Sequence, residues 1–491
     1  MEIPKEIKSI INSLEKNGFE AYIVGGCVRD FLRGVEPEDW DVATNAKPEE
    51  IQKLFPKSFY NNKFFTVTVL TKSRNPKLRE VEITTFRKEA KYRDKRHPEE
   101  VRFAQTIEED LSRRDFTVNA MALALKKKKG ETERKIIDPF GGQNDLKDKI
   151  IRAVGAPEER FEEDALRMMR AVRFSVTLGK GWQIEPKTCQ AIKKNAFWLQ
   201  AISKERIRDE FIKIVMCPEA AVGIERLRVL GLLKYIVPEL EEGYKVSQNK
   251  HHIYDCYEHY LRSLDFAAKK NFNLHVRLAA LFHDIGKPRT KRGEGPNATF
   301  YGHEIVGAKI TAQILTRLKF SKKDIEKITK LVRYHLFYYN PGEVGEGSVR
   351  RLLRKVGPEN IEELIQVRMA DRIGSGVPKA EPYRLRHLRY VIEKVSQDPI
   401  SVKTLKVDGN DVMRILKIKP GPKVGQILDI LLGYVLADPQ KNKKGILEKE
   451  IEKLGKLPEE KLKKLAKKSK EERNKLEMKR DEMTKRKYWV V

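Results

Sequence analysis

Ile7, Ile10, Ile11 and Leu14 recur at the helical period, so residues 1–20 read as an amphipathic helix. The pattern then changes. Tyr22, Ile23 and Val24 form a short apolar run ending in Gly25-Gly26, which predicts a buried strand entering a tight turn. Residues 28–32 open a helix. Asp39-Trp40-Asp41 predicts a second short strand with both acids on one side, because side chains alternate along a strand. Residues 48–55 predict another helix, with Pro48 in its first turn. Residues 64–70 and 81–86 alternate as strands. Residues 88–100 are polar, charged and contain Pro98, and read as a mobile loop. A mostly apolar run follows over 116–125, and Asp138-Pro139-Phe140-Gly141-Gly142 is a turn closing this first region.

Beyond that turn the helical period dominates. Over 161–174, Asp164, Arg167, Arg170 and Arg173 recur every third residue on a predicted helix, with Leu166, Met169 and Val172 on another face turned to a core. Ser203 is a plausible N-cap for the next helix. Residues 380–440 are helical by pattern, with Pro420-Gly421-Pro422 between two helices. Residues 441–491 carry 19 Lys/Arg against 10 Asp/Glu and read as one or two basic helices, which track phosphates or are simply solvated.

Length and charge sharpen this outline. A chain of 491 residues exceeds one ordinary core. The net charge of +29 suggests a polyanionic partner. The four cysteines, Cys27, Cys189, Cys217 and Cys256, form no C-x-x-C pair and read as reduced thiols. The N-terminus has no apolar signal core and no apolar run is long enough to span a bilayer, so the expectation is a cytoplasmic protein away from membranes.

Candidate chemistry lies at two places. Gly25 and Gly26 let backbone approach a ligand closely, and Arg29 adds charge beside N–H groups aimed at an anion. Asp39 and Asp41 aim two carboxylates at one spot beside that cradle, which favours a hard divalent cation between them. The combination predicts metal-dependent transfer onto a nucleoside triphosphate. The second place begins near residue 245. Seven of nine histidines fall there, including His259, His283, His303 and His335. Imidazole and carboxylate ligands together suit a divalent transition metal or Mg2+.

The stretch 22–41 resembles the nucleotidyltransferase signature of the DNA-polymerase-beta-like superfamily. With Arg113-Arg114-Asp115-Phe116-Thr117-Val118-Asn119-Ala120 and Glu163-Asp164-Ala165-Leu166-Arg167, in this order, it resembles class II tRNA nucleotidyltransferases (CCA-adding enzymes) and bacterial poly(A) polymerases. His259, His283-Asp284 and Asp371 resemble the ligand pattern of HD-domain metal phosphohydrolases, with His303 and His335 as candidates to hold a second ion.

The resemblance implies an α+β chain. A small polymerase-beta-like head with a mixed sheet and helices is followed by all-α neck, HD and C-terminal regions. The expected bounds are a head over 1–145, a nucleotide-selecting and RNA-binding neck over 146–244, an HD domain over 245–378, a helical tRNA-binding region over 379–440 and a basic helical tail over 441–491. It implies Mg2+ on Asp39 and Asp41, with Glu82 either a third carboxylate or a solvent-facing strand residue. Gly25, Gly26, Arg29 and Arg114 would position the triphosphate, and Asp115 would accept from a sugar hydroxyl. Asp164, Arg167, Arg170 and Arg173 would read the incoming nucleotide. A divalent metal of unspecified identity would sit in the HD region. The implied substrates are CTP, ATP and the 3′ end of tRNA; oligomeric state is not specified.

Three activities share these residues: full CCA addition, A addition beside a separate CC-adding enzyme, and poly(A) synthesis. The flexible loop at 88–100 argues against CC-only activity. The stretch Tyr60-Asn61-Asn62-Lys63-Phe64-Phe65-Thr66-Val67-Thr68-Val69 departs from the basic pair of poly(A) polymerases and suits the tRNA enzymes. A non-catalytic RNA-binding protein and a chain whose hydrolase is primary are readings of other classes. Nucleotide incorporation, and phosphatase assays on Asp39→Ala protein, separate them.

Overall fold

The computed structural model describes residues 2–61, 65–92, 98–128, 131–249, 253–396 and 402–490. The parts of the expectations that fall on 62–64, 93–97, His251 and His252 lie outside the described residues. Two compact units emerge: residues 1–336 with 362–380, and residues 337–361 with 381–491.

The first unit opens with α1 (Lys5–Lys16), whose Ile7, Ile10, Ile11 and Leu14 are all buried, as the sequence period requires. Then come β1 (Ala21–Val24), α2 (Gly26–Leu32), β2 (Asp41–Thr44), α3 (Pro48–Leu54), β3 (Ser58–Asn61), β4 (Thr66–Leu70) and β5 (Glu80–Thr85). β6 (Arg87–Tyr92) and β7 (Pro98–Phe103) form an antiparallel ribbon. The polar stretch expected to be a loop therefore carries ladder hydrogen bonds, for which composition alone gave no signal. After α4 (Ile107–Ser112) come β8 (Ala122–Lys128) and β9 (Glu131–Ile137).

Seven strands form one sheet in the order β3-β4-β5-β2-β1-β8-β9. β2 and β5 run parallel and the other neighbours antiparallel, giving the mixed sheet expected of the head. The two-residue alternation divides its side chains between two cores. Ile23, Val42 and Leu123 pack with α1 and α3 in the larger one. Val24, Ala43 and Ala122 face Phe86, Ile107 and Leu111 in the smaller one. Asp41 is the register partner of Val24, so it lies on the smaller-core face, the face α4 covers.

The head passes into helices through α5 (Gly142–Asp148) and a two-stranded parallel pair, β10 (Ile150–Ile151) with β11 (Gln183–Ile184). Around that pair lie α6 (Pro157–Glu163), α7 (Leu166–Thr177), α8 (Pro186–Asn195), α9 (Lys204–Met216), α10 (Ala220–Val229) and the short α11 (Pro238–Glu241). The single helix expected over 161–174 is two helices. Asp164 stands between them in extended conformation and its Oδ1 accepts from the Leu166 N–H at 3.1 Å. A short acidic side chain bonds the first turn of a helix more readily than it continues a helix interior, and α7 starts there.

Helices α12 (Cys256–Lys269), α13 (Leu274–Phe282), α14 (Lys287–Thr290), α15 (His303–Arg317) and α16 (Lys322–Tyr334) follow. After α17 (Glu346–Val356) of the second unit, α18 (Ile361–Gly374) brings the chain back to them.

The second unit continues with α19 (Tyr383–Ser396), α20 (Gly409–Leu416), α21 (Pro422–Ala437), α22 (Lys444–Gly455) and α23 (Glu459–Lys487). The basic tail is not detached: Leu447, Ile451, Leu454, Leu462 and Ala466 are buried in one core with Val412, Ile427 and Leu431. All four cysteines are free thiols. Among the described residues, no helix is long and apolar enough to cross a membrane.

Candidate active sites

The Gly25-Gly26 turn is built as its sequence demands. Gly25 has a positive φ of 82°, and a Cβ there would lie 2.9 Å from an Arg114 guanidinium nitrogen. The turn ends β1 at Val24, so the pairing of β2 ends at Asp41, opposite Val24. Asp39 was expected on the strand; it lies in a bend just before it, because no β1 residue remains to pair with it. The intended alternation survives: Trp40 is buried in the large core while Asp39 and Asp41 both line one cavity of about 480 Å3. Burial first, then the Asp39 charge, pushes the Asp41 carboxyl up to about 7, against the opposing pull of Arg114. Glu82 is the register partner of Asp41 on β5 and adds to the upward push. Neighbours in register project from the same face, so Asp39, Asp41 and Glu82 form one acidic group. A carboxyl such as Asp41, raised by burial and by a neighbouring negative charge, is one that a hard divalent cation would ionise and bind.

Arginines line the rest of the cavity. Asp110, deeply buried on α4, receives Arg113 at 2.8 Å and Arg114 at 3.1 Å. Burial raises its carboxyl, yet these two guanidiniums outweigh burial and hold it below the usual range. Asp110 therefore fixes the pair that meets the cavity, a role its sequence position did not advertise. Asp115 is more enclosed than its expected contact with a sugar hydroxyl implies. Its Oδ1 accepts from the Phe116 N–H at 2.8 Å and from Asn119 at 3.2 Å, and its Oδ2 from Arg170 at 2.7 Å. Against burial, Arg170 and then Arg167 pull its pKa down to about 2. Asn119 in turn accepts from Arg29 at 2.7 Å, while Asp30 takes the other side of that guanidinium at 2.6 Å. Arg29, Arg170 and Arg173 all stand around the Phe174 ring, Arg173 at 4.0 Å from its centroid. Such stacking holds like charges together at an apolar surface.

Asp164 and Arg167 line the same cavity, each held by the protein. Arg206 of α9 meets Asp164 through two nitrogens at 3.2 and 2.7 Å. Arg167 donates to Glu163 at 2.6 Å and to the Arg113 carbonyl at 2.9 Å. Arg173 donates to Glu210 at 2.7 Å. Arg206, Asn119 and Phe174 line the cavity without having been singled out for it. Arg206 lay in the recognised helix start at Ser203, but a distant ion-pair partner leaves no spacing signal.

The second cluster sits where five helices, α12, α13, α15, α16 and α18, converge. His259, His283, Asp284 and Asp371 present donor atoms within 4.8 Å of one another, and Asp284, His303 and His335 do likewise. Asp284 joins the groups: its Oδ2 lies 3.1 Å from His259 and 3.3 Å from His283, its Oδ1 3.1 Å from His303 and 3.5 Å from His335. Helix ends aim the rings. His283 Nδ1 meets the Ala280 carbonyl at 2.8 Å, His303 Nδ1 that of Phe300 at 2.7 Å and His335 Nδ1 that of Val332 at 2.7 Å. Each carbonyl requires Nδ1–H, so each Nε2 faces the centre as a lone pair. Gly286 permits the packing, since a Cβ there would lie 2.3 Å from the His303 carbonyl. Burial lowers the His283 pKa, but Asp284 and Asp371 outweigh it and push the ring up to about 10. The site thus favours positive charge at its centre. Three preset imidazole lone pairs, His259 and two carboxylates fit one or two divalent metal ions.

Known proteins match the chain over both regions. Residues 21–152 match the family model described as "Poly A polymerase head domain", 181–243 "Probable RNA and SrmB- binding site of polymerase A" and 256–375 "HD domain". The A-adding tRNA nucleotidyltransferase of Deinococcus radiodurans is 34% identical over 84% of this chain and 90% of its own length. The CCA-adding enzyme of Ligilactobacillus salivarius is 35% identical over 91% of this chain and 99% of its own. The crystal structure of the Bacillus stearothermophilus CCA-adding enzyme in complex with CTP superposes with a TM-score of 0.59 at 29% identity, covering 92% and 98% of the two chains.

Proposed function

We propose, from the premise that this chain belongs to the tRNA nucleotidyltransferase family of CCA-adding and A-adding enzymes, that it adds or repairs the 3′-terminal CCA of tRNA from CTP and ATP. The observation that carries this reading is the head cavity, where Asp39 and Asp41 face an arginine-lined wall beside a glycine turn. A substrate pool of tRNA and nucleoside triphosphates places its work in the cytoplasm.

Asp39 and Asp41 would hold two Mg2+ ions in this reading, with Glu82 beside them. Bound there, the ions would lower the pKa of the tRNA 3′-hydroxyl and neutralise charge on the departing pyrophosphate. The residues supply positioning and charge. Gly25 and Gly26 admit the triphosphate to the backbone, and Arg29 and Arg114 hold its oxygens in line for attack on the α-phosphorus. The tRNA oxygen forms the new bond, pyrophosphate leaves, and the hydroxyl proton passes to solvent. Asp115 locks Arg170 and, through Asn119, Arg29, so its role is to set the cationic wall. Asp164 accepts and Arg167 donates, complementing the amino donor and adjacent ring-nitrogen acceptor that cytosine and adenine share. Arg170 and Arg173 complete the selecting surface.

The histidine cluster gives the chain a second chemistry, a metal-dependent phosphohydrolase. His259, His283, Asp284 and Asp371 would hold one ion, with His303 and His335 available for a second. A metal held there would supply hydroxide near neutral pH and polarise a phosphoryl oxygen. Lys287, 2.6 Å from Asp284, and Arg368, 2.7 Å from Asp371, hold the carboxylates in place and add positive charge to the rim.

The similarity to an A-adding enzyme supports a second reading, A addition alone. Three tRNAs decide between them: one ending at the discriminator base, one after one C, one after two. Each is given CTP, ATP or both, and product lengths are read. Full CCA on the shortest tRNA is expected. Extension only of the tRNA ending in CC overturns CCA addition in favour of A addition, and no extension removes both.

A further inference from the structure

On the larger-core side of the head sheet, a cavity of about 800 Å3 opens between α1, the end of α3 and the end of β4. Ile10 and Val69, members of the larger core, and Phe55, packed against it, form its floor. Asp41 leaves the other face of the sheet, so this cavity is not part of the nucleotide site. Its volume lies in the span of small-molecule sites, roughly 300–1,000 Å3. Lys5, Lys72 and Arg74 stand at its rim, and Glu6 is the acid among the lining residues. All three cations are exposed, and among the described residues none of them makes an ion pair or a side-chain hydrogen bond. Lys77, a few residues on, is instead tied to Glu38 at 3.0 Å.

The turn after β4 explains the difference. Thr71 Oγ1 donates to the Leu78 carbonyl at 2.5 Å and accepts from the Ser73 N–H at 3.1 Å. Ser73 Oγ accepts from the Asn75 N–H at 3.3 Å, and Asn75 Oδ1 from the Lys77 N–H at 3.1 Å. Short polar side chains at every second position close the turn on itself. Lys72 and Arg74, the positions between them, are left to the cavity rim.

We propose that this cavity binds a small organic anion, an acidic head group joined to an apolar body, with the head at Lys5, Lys72 and Arg74 and the body on Ile10, Phe55 and Val69. The site is independent of the transfer and hydrolase chemistry. Cations without internal partners favour an anion, and a floor continuous with the core favours an apolar body over a bare ion. An RNA backbone would use the cations and leave the floor in water. An acyl or aryl carboxylate and an organic phosphate share the required chemistry.

The test uses the full chain and three probes. Anilinonaphthalene sulfonate has both halves, N-phenylnaphthylamine the apolar body alone, and sulfate the charge alone. Fluorescence titration gives the affinity of the two dyes and calorimetry that of sulfate. The sulfonate dye is expected to bind wild type more tightly than either half. Lys72→Ala with Arg74→Ala is expected to weaken it by roughly three- to thirtyfold, the size of two exposed ion pairs, and to leave N-phenylnaphthylamine unchanged. Lys72→Arg with Arg74→Lys keeps the wild-type affinity. Binding elsewhere is common to wild type and variants and cancels. Octanoate and octyl phosphate then compete with the dye, and the stronger competitor identifies the head group. Sulfonate affinity unchanged in the double alanine variant overturns the proposal. So does an equal loss of both dyes, which makes the effect structural. So does a loss of tRNA affinity with the dye unaffected, which assigns the cations to an RNA backbone.

Discussion

Asp41 and Glu82 are register partners on the one parallel pair of neighbours in the head sheet, so their carboxylates leave the same face side by side. With Asp39 they make a group whose repulsion and burial hold the Asp41 carboxyl near 7. Asp39→Ala and Asp41→Ala are expected to abolish nucleotide addition while leaving tRNA binding largely intact. Glu82→Gln, which removes one charge and little volume, is expected to raise the Mg2+ concentration for half-maximal activity. Magnesium titrations of the three variants check this. A Glu82→Gln curve superimposed on wild type makes Glu82 a solvent-facing strand residue.

Asp115 gives the head a defined acid limit. Its pKa falls from an ordinary 3.8 to about 2 because Arg170 and Arg167 outweigh the cost of burial. A carboxyl depressed on folding contributes stability that is complete above the unfolded value and is lost as pH falls from about 4 through about 2. The contribution at neutral pH is about 2 kcal/mol. Asp115→Asn is expected to lower stability by that order at pH 7, by much less at pH 2, and to reduce addition at both CTP and ATP steps. Denaturant unfolding at the two pH values is the measurement. Equal destabilisation at both would mean the loss is packing rather than charge.

Base choice is expected to depend on the residue that positions Asp164. Arg206 holds Asp164 through two nitrogens. Guanine and uracil place a carbonyl where the amino donor should be, leaving Asp164 facing an acceptor, and polar mismatches of that kind discriminate by roughly 10⁴. Asp164→Ala is expected to relax selection against GTP and UTP. Arg206→Ala frees the carboxylate without removing it, so selectivity should fall part of the way, with Arg206→Lys recovering some of it. Competition between the four triphosphates gives the ratio. Full selectivity in Arg206→Ala would show that Asp164 needs no positioning.

The sequence carried the order of strands and helices around the glycine turn and the helical period of Ile7, Ile10, Ile11 and Leu14, because local spacing determines them. The histidines and aspartates of the second cluster, spread from 259 to 371, are also residues the sequence pattern singled out, and the structure brings them together. What the sequence did not carry depends on which side chains and strands find each other in the fold, whether near or distant in the chain. Asp39 falls off the strand because β1 ends at Val24. Asp164 breaks a helix because its side chain bonds the first turn of the next. Residues 88–92 and 98–100 pair as a ribbon although the stretch is mostly polar and charged. Asp110 and Arg206 act through ion pairs with neighbours that are separate in role.

The two metal-binding constellations use no ligand in common, so the two activities should separate cleanly. His283→Ala with Asp284→Ala removes both the imidazole fixed by Ala280 and the carboxylate shared by the two ligand groups. That double variant is expected to lose metal-dependent hydrolysis of a 2′,3′-cyclic phosphate while adding nucleotides to an intact tRNA at the wild-type rate; Asp39→Ala should do the reverse. Removing metal tests the same point without mutation. A ligand present at about a hundred times its dissociation constant stabilises the folded form by about 2.7 kcal/mol. Exhaustive chelation should therefore lower the unfolding temperature of wild type, and restored Mn2+, Ni2+ or Co2+ should recover it. The double variant should show only the smaller response that the head retains. Hydrolysis that survives the double substitution, or an unchanged response to metal, would take the cluster out of metal binding.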